Sequence, residues 1–334
     1  MEHKPWVPAD LLQLSAGYWS VCALHAGVKL DVFTPLAESS MTIEELAGRL
    51  KCDGRGLTML LNSLAALGLV LKQGESYAAT SFAAEFLSHA SPNYLGYIIQ
   101  HHHGLMQLWV HLDQAVISGG PVKGSPSRGD DETMRENFEM GMFNLAMQIA
   151  PSIIPHIDLS GRKRLLDLGG GPGTYAIHFC RHNADLSAVV YDLPSTQPFA
   201  DKIITKFGLN DRIRFEAGDF DLDDVQGSFD VVWLSHVLHA KGPEECAVII
   251  NKAVAALEPG GMFLVQEFIL NDSMDTPLFP ALFSMNMLLG TQNGRSYSQR
   301  QLFDMLSAAG VIDLRRIPLD LPNGAGVVAG IVPG

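Results

Sequence analysis

Leu165-Leu166-Asp167-Leu168-Gly169-Gly170-Gly171-Pro172-Gly173-Thr174 is the stretch that decides the fold of this 334-residue chain. Three apolar residues around one acid read as a short buried strand. The glycines that follow read as a sharp turn where the backbone can come up against a ligand. Thr174, Ala176, Ile177 and Phe179 then open a helix whose free N–H groups face that turn. Strand, glycine turn and helix start form a cradle for a nucleotide cofactor at the carboxyl end of a first parallel strand.

The spacing narrows the cofactor. A dinucleotide fingerprint places a third Gly or Ala where Thr174 stands, so NAD is disfavoured without being excluded. Ala188 to Pro194 is a second apolar run that ends in Asp192 and Leu193, and an acid about twenty residues past the glycines suits the hydroxyls of a ribose. A third strand is expected from Ile213 to Phe220. Its Gly218-Asp219-Phe220 corner offers a carboxylate and an aromatic face for an adenine.

Asp-Leu-Gly-Gly-Gly-Pro-Gly, Tyr-Asp-Leu-Pro, Gly-Asp-Phe and Leu-Glu-Pro-Gly-Gly follow one another in this order. Together they resemble the S-adenosylmethionine (SAM) dependent O-methyltransferases, in particular the caffeic acid and hydroxyindole O-methyltransferase group and its bacterial relatives. The resemblance runs from about Asp10 to Val332. It implies an α/β fold: a Rossmann-like class I methyltransferase sheet with an antiparallel last strand, behind an N-terminal helical winged-helix domain. It implies SAM as cofactor, held by the Gly169 and Gly171 turn, by Asp192 with Leu193, and by Asp219 and Phe220, with Ser235 nearby. No metal is expected.

The same resemblance points to a catalytic segment. Phe229 to Ser235 reads as a fourth strand, followed by His236-Val237-Leu238-His239-Ala240-Lys241. Relatives place a histidine here at the acceptor hydroxyl, which implies His239 as base, with His236 as its neighbour. The chemistry explains the choice. A phenol ionises near pH 10, whereas an imidazole with an ordinary pKa of about 6.5 can take its proton at neutral pH. Two family acids are replaced, by Ala240 and, on the alignment, by Gln299; Glu267 keeps the third. For the acceptor, the resemblance implies Phe138 and Met142 in the segment Phe138-Glu139-Met140-Gly141-Met142, and Phe283 and Asn286 in the soft apolar run Phe279 to Leu289. Ordinary core packing accounts for these four residues equally well.

Composition sets the outer bounds. A 47% hydrophobic and 18% charged chain is globular, and a net charge of −13 disfavours nucleic acid as a partner. Cys22, Cys52, Cys180 and Cys246 show no paired spacing, as expected of reduced thiols in a cytoplasmic protein rather than a zinc site. Neither a signal peptide nor a membrane-spanning run is expected. His101-His102-His103 point three ways around a helix and do not converge on one ion.

Further toward the start, helical periodicity runs from Asp10 to Phe33, punctuated by Gly27 and Pro35. Thr42-Ile43-Glu44-Glu45 is a capping box opening a helix to Leu50. A second helix, Gly56 to Leu67, precedes a hairpin turning at Gly74. Helix, helix, hairpin invites a DNA-binding reading, but residues 1–95 hold six basic and nine acidic side chains. The resemblance implies a homodimer through this domain instead. The expected organisation is therefore 1–95 for dimerisation, 96–155 as linking helices against the substrate pocket, and 156–334 for SAM binding and catalysis. Gly119 to Asp131 reads as a loop. The expected function is O-methylation of a small aromatic or planar acceptor. A SAM-binding protein with C- or N-methylation or other chemistry, and a non-catalytic regulatory dimer, remain open.

Overall fold

The computed structural model describes residues 5–122 and 131–334. Most of the expected Gly119–Asp131 loop, residues 123–130, lies outside them. Two compact units are present. One takes residues up to Leu105 with Glu136–Asn144, the other Met106–Arg135 with Leu145–Gly334, so residues 96–155 are divided between the two. Among the described residues no helix is long and apolar enough to cross a membrane.

In the first unit the periodicity of Asp10–Phe33 is cut into the helices Pro8–Ser15 and Tyr18–Lys29, with Phe33–Glu38 after them. The breaks are at Gly17, which stands between the first two helices, and at Asp31, whose φ of 54° leaves the helical region. Gly27 does not punctuate as expected. It lies inside its helix, where an added Cβ would meet Leu64 at 3.0 Å and Phe33 at 3.1 Å, so its missing side chain permits close packing. The capping box forms as expected: Glu45 N–H donates to Thr42 Oγ1 at 3.3 Å and Thr42 N–H to Glu45 Oε2 at 2.8 Å. The next helix starts at Gly54, two residues earlier than expected, because Asp53 caps it through Gly56 N–H at 2.9 Å. Strands β1 (Met41–Thr42), β2 (Val70–Gln73) and β3 (Ser76–Ala79) form a small antiparallel sheet, order β1-β3-β2, turning at Gly74. Phe33, Leu46, Leu57, Leu61, Leu64 and Tyr77 fill the core beneath it.

The second unit is built on a sheet of β4 (Arg164–Leu168), β5 (Ser187–Asp192), β6 (Ile213–Ala217), β7 (Phe229–Ser235), β8 (Leu257–Leu270), the short β9 (Tyr297–Ser298), β10 (Ile312–Arg316) and β11 (Ala325–Ile331). The order is β10-β11-β8-β7-β4-β5-β6, with β9 beside the end of β8. Strands β4 to β8 run parallel, and β10 and β11 are the antiparallel edge pair. Leu165, Leu166 and Leu168 are fully buried, as a strand covered on both faces requires. One strand boundary differs from expectation. Strand β6 stops at Ala217, since Asp219 N–H donates to Asp223 Oδ2 and Asp219 Oδ1 accepts from Asp221 N–H, folding the Gly-Asp-Phe corner into a loop. Pro259-Gly260-Gly261 lies within β8, where Gly260 takes φ 77° and the pairing with β7 shifts register. The strand order reverses between β4 and β7, and their carboxyl ends open the crevice where such sheets bind ligands.

Candidate active site

The glycine turn is held by backbone geometry. Gly169, Gly171 and Gly173 have φ of 69°, 54° and 78°, values that residues with a side chain rarely adopt. A Cβ on Gly169 would come within 2.6 Å of Val237 Cγ2 and 3.5 Å of Phe220 Cε1. Asp192, at the end of β5, accepts from Gly171 N–H at 2.8 Å through Oδ2 and from Leu193 N–H at 2.7 Å through Oδ1. The acid therefore shapes the turn itself, and burial raises its pKa. Asp167 is fully buried and accepts from Ala176 N–H in the first turn of the helix Thr174–His182 at 3.1 Å. Burial, partly opposed by that hydrogen bond, pushes it up to about 7.

Asp219 and Phe220 sit in the loop after β6. Lys252 Nζ ties this loop down through the carbonyls of Phe220, Asp221 and Asp223. Lys241 pairs with Asp221 and lies 5.9 Å from the centre of the Phe220 ring. Ser235 ends β7 and donates to Gln266 Oε1 at 3.1 Å.

His236 and His239 follow directly. Strand register aligns Ser235 with Gln266, so the next residues of each strand, His236 and Glu267, come together at the sheet's carboxyl end. Glu267 is buried at 2% exposure, with Oε1 accepting from His239 N–H at 3.2 Å and Oε2 lying 2.7 Å from His239 Nδ1. Burial alone would raise this carboxyl; His239 and His236 together reverse that and hold it well below the usual carboxylate range. As an anion Glu267 only accepts hydrogen bonds, so in its neutral form His239 carries its proton on Nδ1 and keeps a lone pair on Nε2. His236 takes a left-handed φ of 56° and lays its ring 4.4 Å from that of Phe268. Phe283 meets the His239 ring edge-on at 4.8 Å, and Phe279 and Phe283 each lie within 5 Å of Phe268.

Asn286 is buried on the same helix as Phe283, Leu278–Gly290, and its Oδ1 accepts from Trp109 Nε1 at 3.1 Å. Phe138 and Met142 belong to the first unit, on the helix Glu132–Ile153. There Phe138 packs edge-on against His101 at 5.4 Å. Gln299 opens the helix Gln299–Ala308. Gly294 lies against the His239 backbone, where a Cβ would meet His239 O at 2.5 Å. Sequence reading missed Trp109, Val237, Phe268 and Gly294. Only the soft run from Phe279 onward hinted at the aromatic wall.

The family profile for the O-methyltransferase domain matches residues 109–312, and that for the O-methyltransferase dimerisation domain matches residues 12–89. The chain belongs to the O-methyltransferase family. This O-methyltransferase is 32% identical over 336 residues to the 3-hydroxy-5-methyl-1-naphthoate 3-O-methyltransferase of Streptomyces sahachiroi, covering 97% of this chain and 95% of that protein. It is 32% identical over 325 residues to the tetracenomycin polyketide synthesis 8-O-methyl transferase TcmO of Streptomyces glaucescens, covering 95% of each. A solved structure of PigF with SAH superposes with a TM-score of 0.89 at 25% identity, over 98% of this chain and all of that one. The enzyme is a SAM-dependent methyltransferase. Its glycine turn fits that cofactor: a single Cβ at Gly169 would fill the space between Val237 and Phe220.

Proposed function

We propose that this enzyme methylates a hydroxyl of a small planar aromatic acceptor, with His239 as the base. One observation carries the reading: His239 Nδ1 lies 2.7 Å from the buried Glu267 carboxylate, a contact that favours the neutral tautomer with its proton on Nδ1 and Nε2 as the base. Bound SAM supplies a methyl group on a cationic sulfur, open to attack by an oxygen nucleophile. His239 Nε2 takes the acceptor proton as the oxygen attacks, and Glu267 stabilises the imidazolium that results. Phe268, Phe279 and Phe283 form an apolar wall around the base that suits a flat ring and excludes water.

On this reading Gly169, Gly171, Asp192 and Leu193 hold the sugar side of the cofactor, Asp219 and Phe220 its adenine, and Ser235 lies beside it. His236, Phe283 and Asn286 contact the acceptor. The names of the relatives, a naphthoate and a polyketide methyltransferase, support a fused-ring phenol as acceptor class.

The enzyme works as a homodimer through a winged-helix N-terminal unit. The dimerisation profile supports this, as does the apolar face left open by Leu11, Leu12, Leu14 and Trp19, each at least 60% exposed. Four unpaired cysteines support a reducing, cytoplasmic setting.

The test is mass analysis of products from methyl-labelled SAM with a panel of planar phenols, amines and carbon nucleophiles. A labelled methyl ether is expected, with turnover in His239→Ala lower by about 10²- to 10⁴-fold. S-adenosylhomocysteine formed with no methyl ether would overturn the assignment.

A further inference from the structure

Among the described residues one group could hold a metal ion. His236, His239 and Glu267 each offer a ligand atom, and these atoms lie within 4.8 Å of one another. Both imidazoles aim Nδ1 at the same oxygen, Glu267 Oε2, at 3.6 Å from His236 and 2.7 Å from His239. The longer approach is not a hydrogen bond, and His236 Nδ1 is buried with no hydrogen-bond partner. A left-handed backbone at His236 holds its ring in this place. Abstraction of a proton by His239 has no use for a second nitrogen pointed at the same carboxylate.

We propose that His236 Nδ1, His239 Nδ1 and the Glu267 carboxylate bind a divalent transition-metal ion of the zinc or cobalt class, and that its binding switches methyl transfer off. Two imidazoles and a carboxylate are a ligand set these ions accept, at about 2.0–2.2 Å per ligand. Small rotations of the two rings close a cluster of this size around one ion. The side chains of His236 and His239 keep 23% and 12% of their surface exposed, so an ion can arrive from solvent. Three protein ligands leave a fourth position for water or an acceptor oxygen.

Inhibition follows from proton placement. A neutral imidazole has one N–H. In the ion-free site Nδ1 of His239 holds it for Glu267, and Nε2 is the base. An ion bound at Nδ1 takes the lone pair there, so the same proton moves to Nε2 with none gained or lost. Nε2 becomes a donor and no longer accepts the acceptor's proton. This inhibitory half rests on His239 being the base; the binding half does not.

The experiment is calorimetric titration of Zn²⁺ into the tag-free, metal-stripped full chain, repeated with Co²⁺ and visible spectroscopy. One ion per chain is expected, with Co²⁺ bands of a four- or five-coordinate site. Binding should weaken at least tenfold in Glu267→Gln, His236→Ala and His236→Asn; asparagine tolerates the left-handed backbone, so misfolding does not mimic the result. Wild-type affinity in His236→Asn would place the ion elsewhere, on the exposed Cys22 or other histidines, and overturn the site. Methyl transfer, measured with an acceptor from the phenol panel, should fall with Zn²⁺ at a midpoint equal to the calorimetric Kd and recover with EDTA. Full turnover with the ion bound would overturn the inhibitory half. Absence of any methylation by the metal-free chain would count against the proposed reaction alone, because the titration needs no acceptor.

Discussion

The indole Nε1 of Trp109 donates to Oδ1 of Asn286 at 3.1 Å, a bond between residues 177 positions apart. Because an indole N–H only donates, it orients the amide without ambiguity: the oxygen faces Trp109 and the NH₂ remains as the donor. On the proposed reading Asn286 therefore recognises an acceptor atom on the substrate, such as a carbonyl or carboxylate oxygen. Trp109→Phe frees the amide to rotate. Its KM for such a substrate is expected to rise about two- to tenfold, the worth of one hydrogen bond, with kcat within twofold of wild type. Steady-state kinetics in both variables checks this.

Glu267→Gln should be far more damaging than its size suggests. The His239 backbone N–H needs an oxygen at Oε1, so a glutamine oxygen would settle there and its NH₂ would face His239 Nδ1. That amide would donate to Nδ1, drive the proton to Nε2 and remove the base. Turnover should drop about 10²- to 10⁴-fold with SAM affinity unchanged. Retained turnover would show that the carboxylate does not set the tautomer.

Gly169→Ala tests the cradle. Its Cβ would lie 2.6 Å from Val237 Cγ2, and the φ of 69° is strained for alanine. A stability loss of about 1–3 kcal/mol is expected from the backbone, together with weakened SAM binding. Adding Val237→Ala should restore part of the cofactor affinity and none of the backbone cost. Thermal melting and calorimetry with S-adenosylhomocysteine separate the two contributions.

Asp167 makes the cofactor-free fold sensitive to pH. Its carboxyl is pushed up to about 7 by burial, from an ordinary value of 3.8. Below about 4 the acid is protonated in both folded and unfolded chains, and its contribution to stability is fully present. Between about 4 and 7 the unfolded chain ionises while the folded one stays protonated, so stability falls as pH rises and levels off above 7. Asp167→Asn keeps an oxygen for Ala176 N–H and abolishes that slope. Denaturant midpoints from pH 4 to 8 should be flatter in the variant and higher than wild type at pH 8.

Much of the fold was legible because its signals are local. The buried strand Leu165–Leu168, the three left-handed glycines and the Thr42 capping box depend on residues a few positions apart. Where the reading failed, the reason was packing at a distance. Gly27 looked like a helix end, yet Leu64 and Phe33 press on it and its helix continues to Lys29. Gly294, which no local signal marks, lies against the His239 backbone and offers no side chain. The likeness to relatives singled out His239 as a base held by the one acid Glu267, but not which ring nitrogen that acid engages.

The amino-acid sequence by itself determined the cradle and the order of the main strands and helices, because backbone freedom and apolar periodicity are written within a few residues, while the kind of cofactor came from the likeness of its motifs to those of relatives. Which nitrogen of His239 is free was decided only in three dimensions. The pairing of Ser235 with Gln266 brings Glu267 beside His236 and His239, and a buried carboxylate there can do nothing but accept the Nδ1 proton.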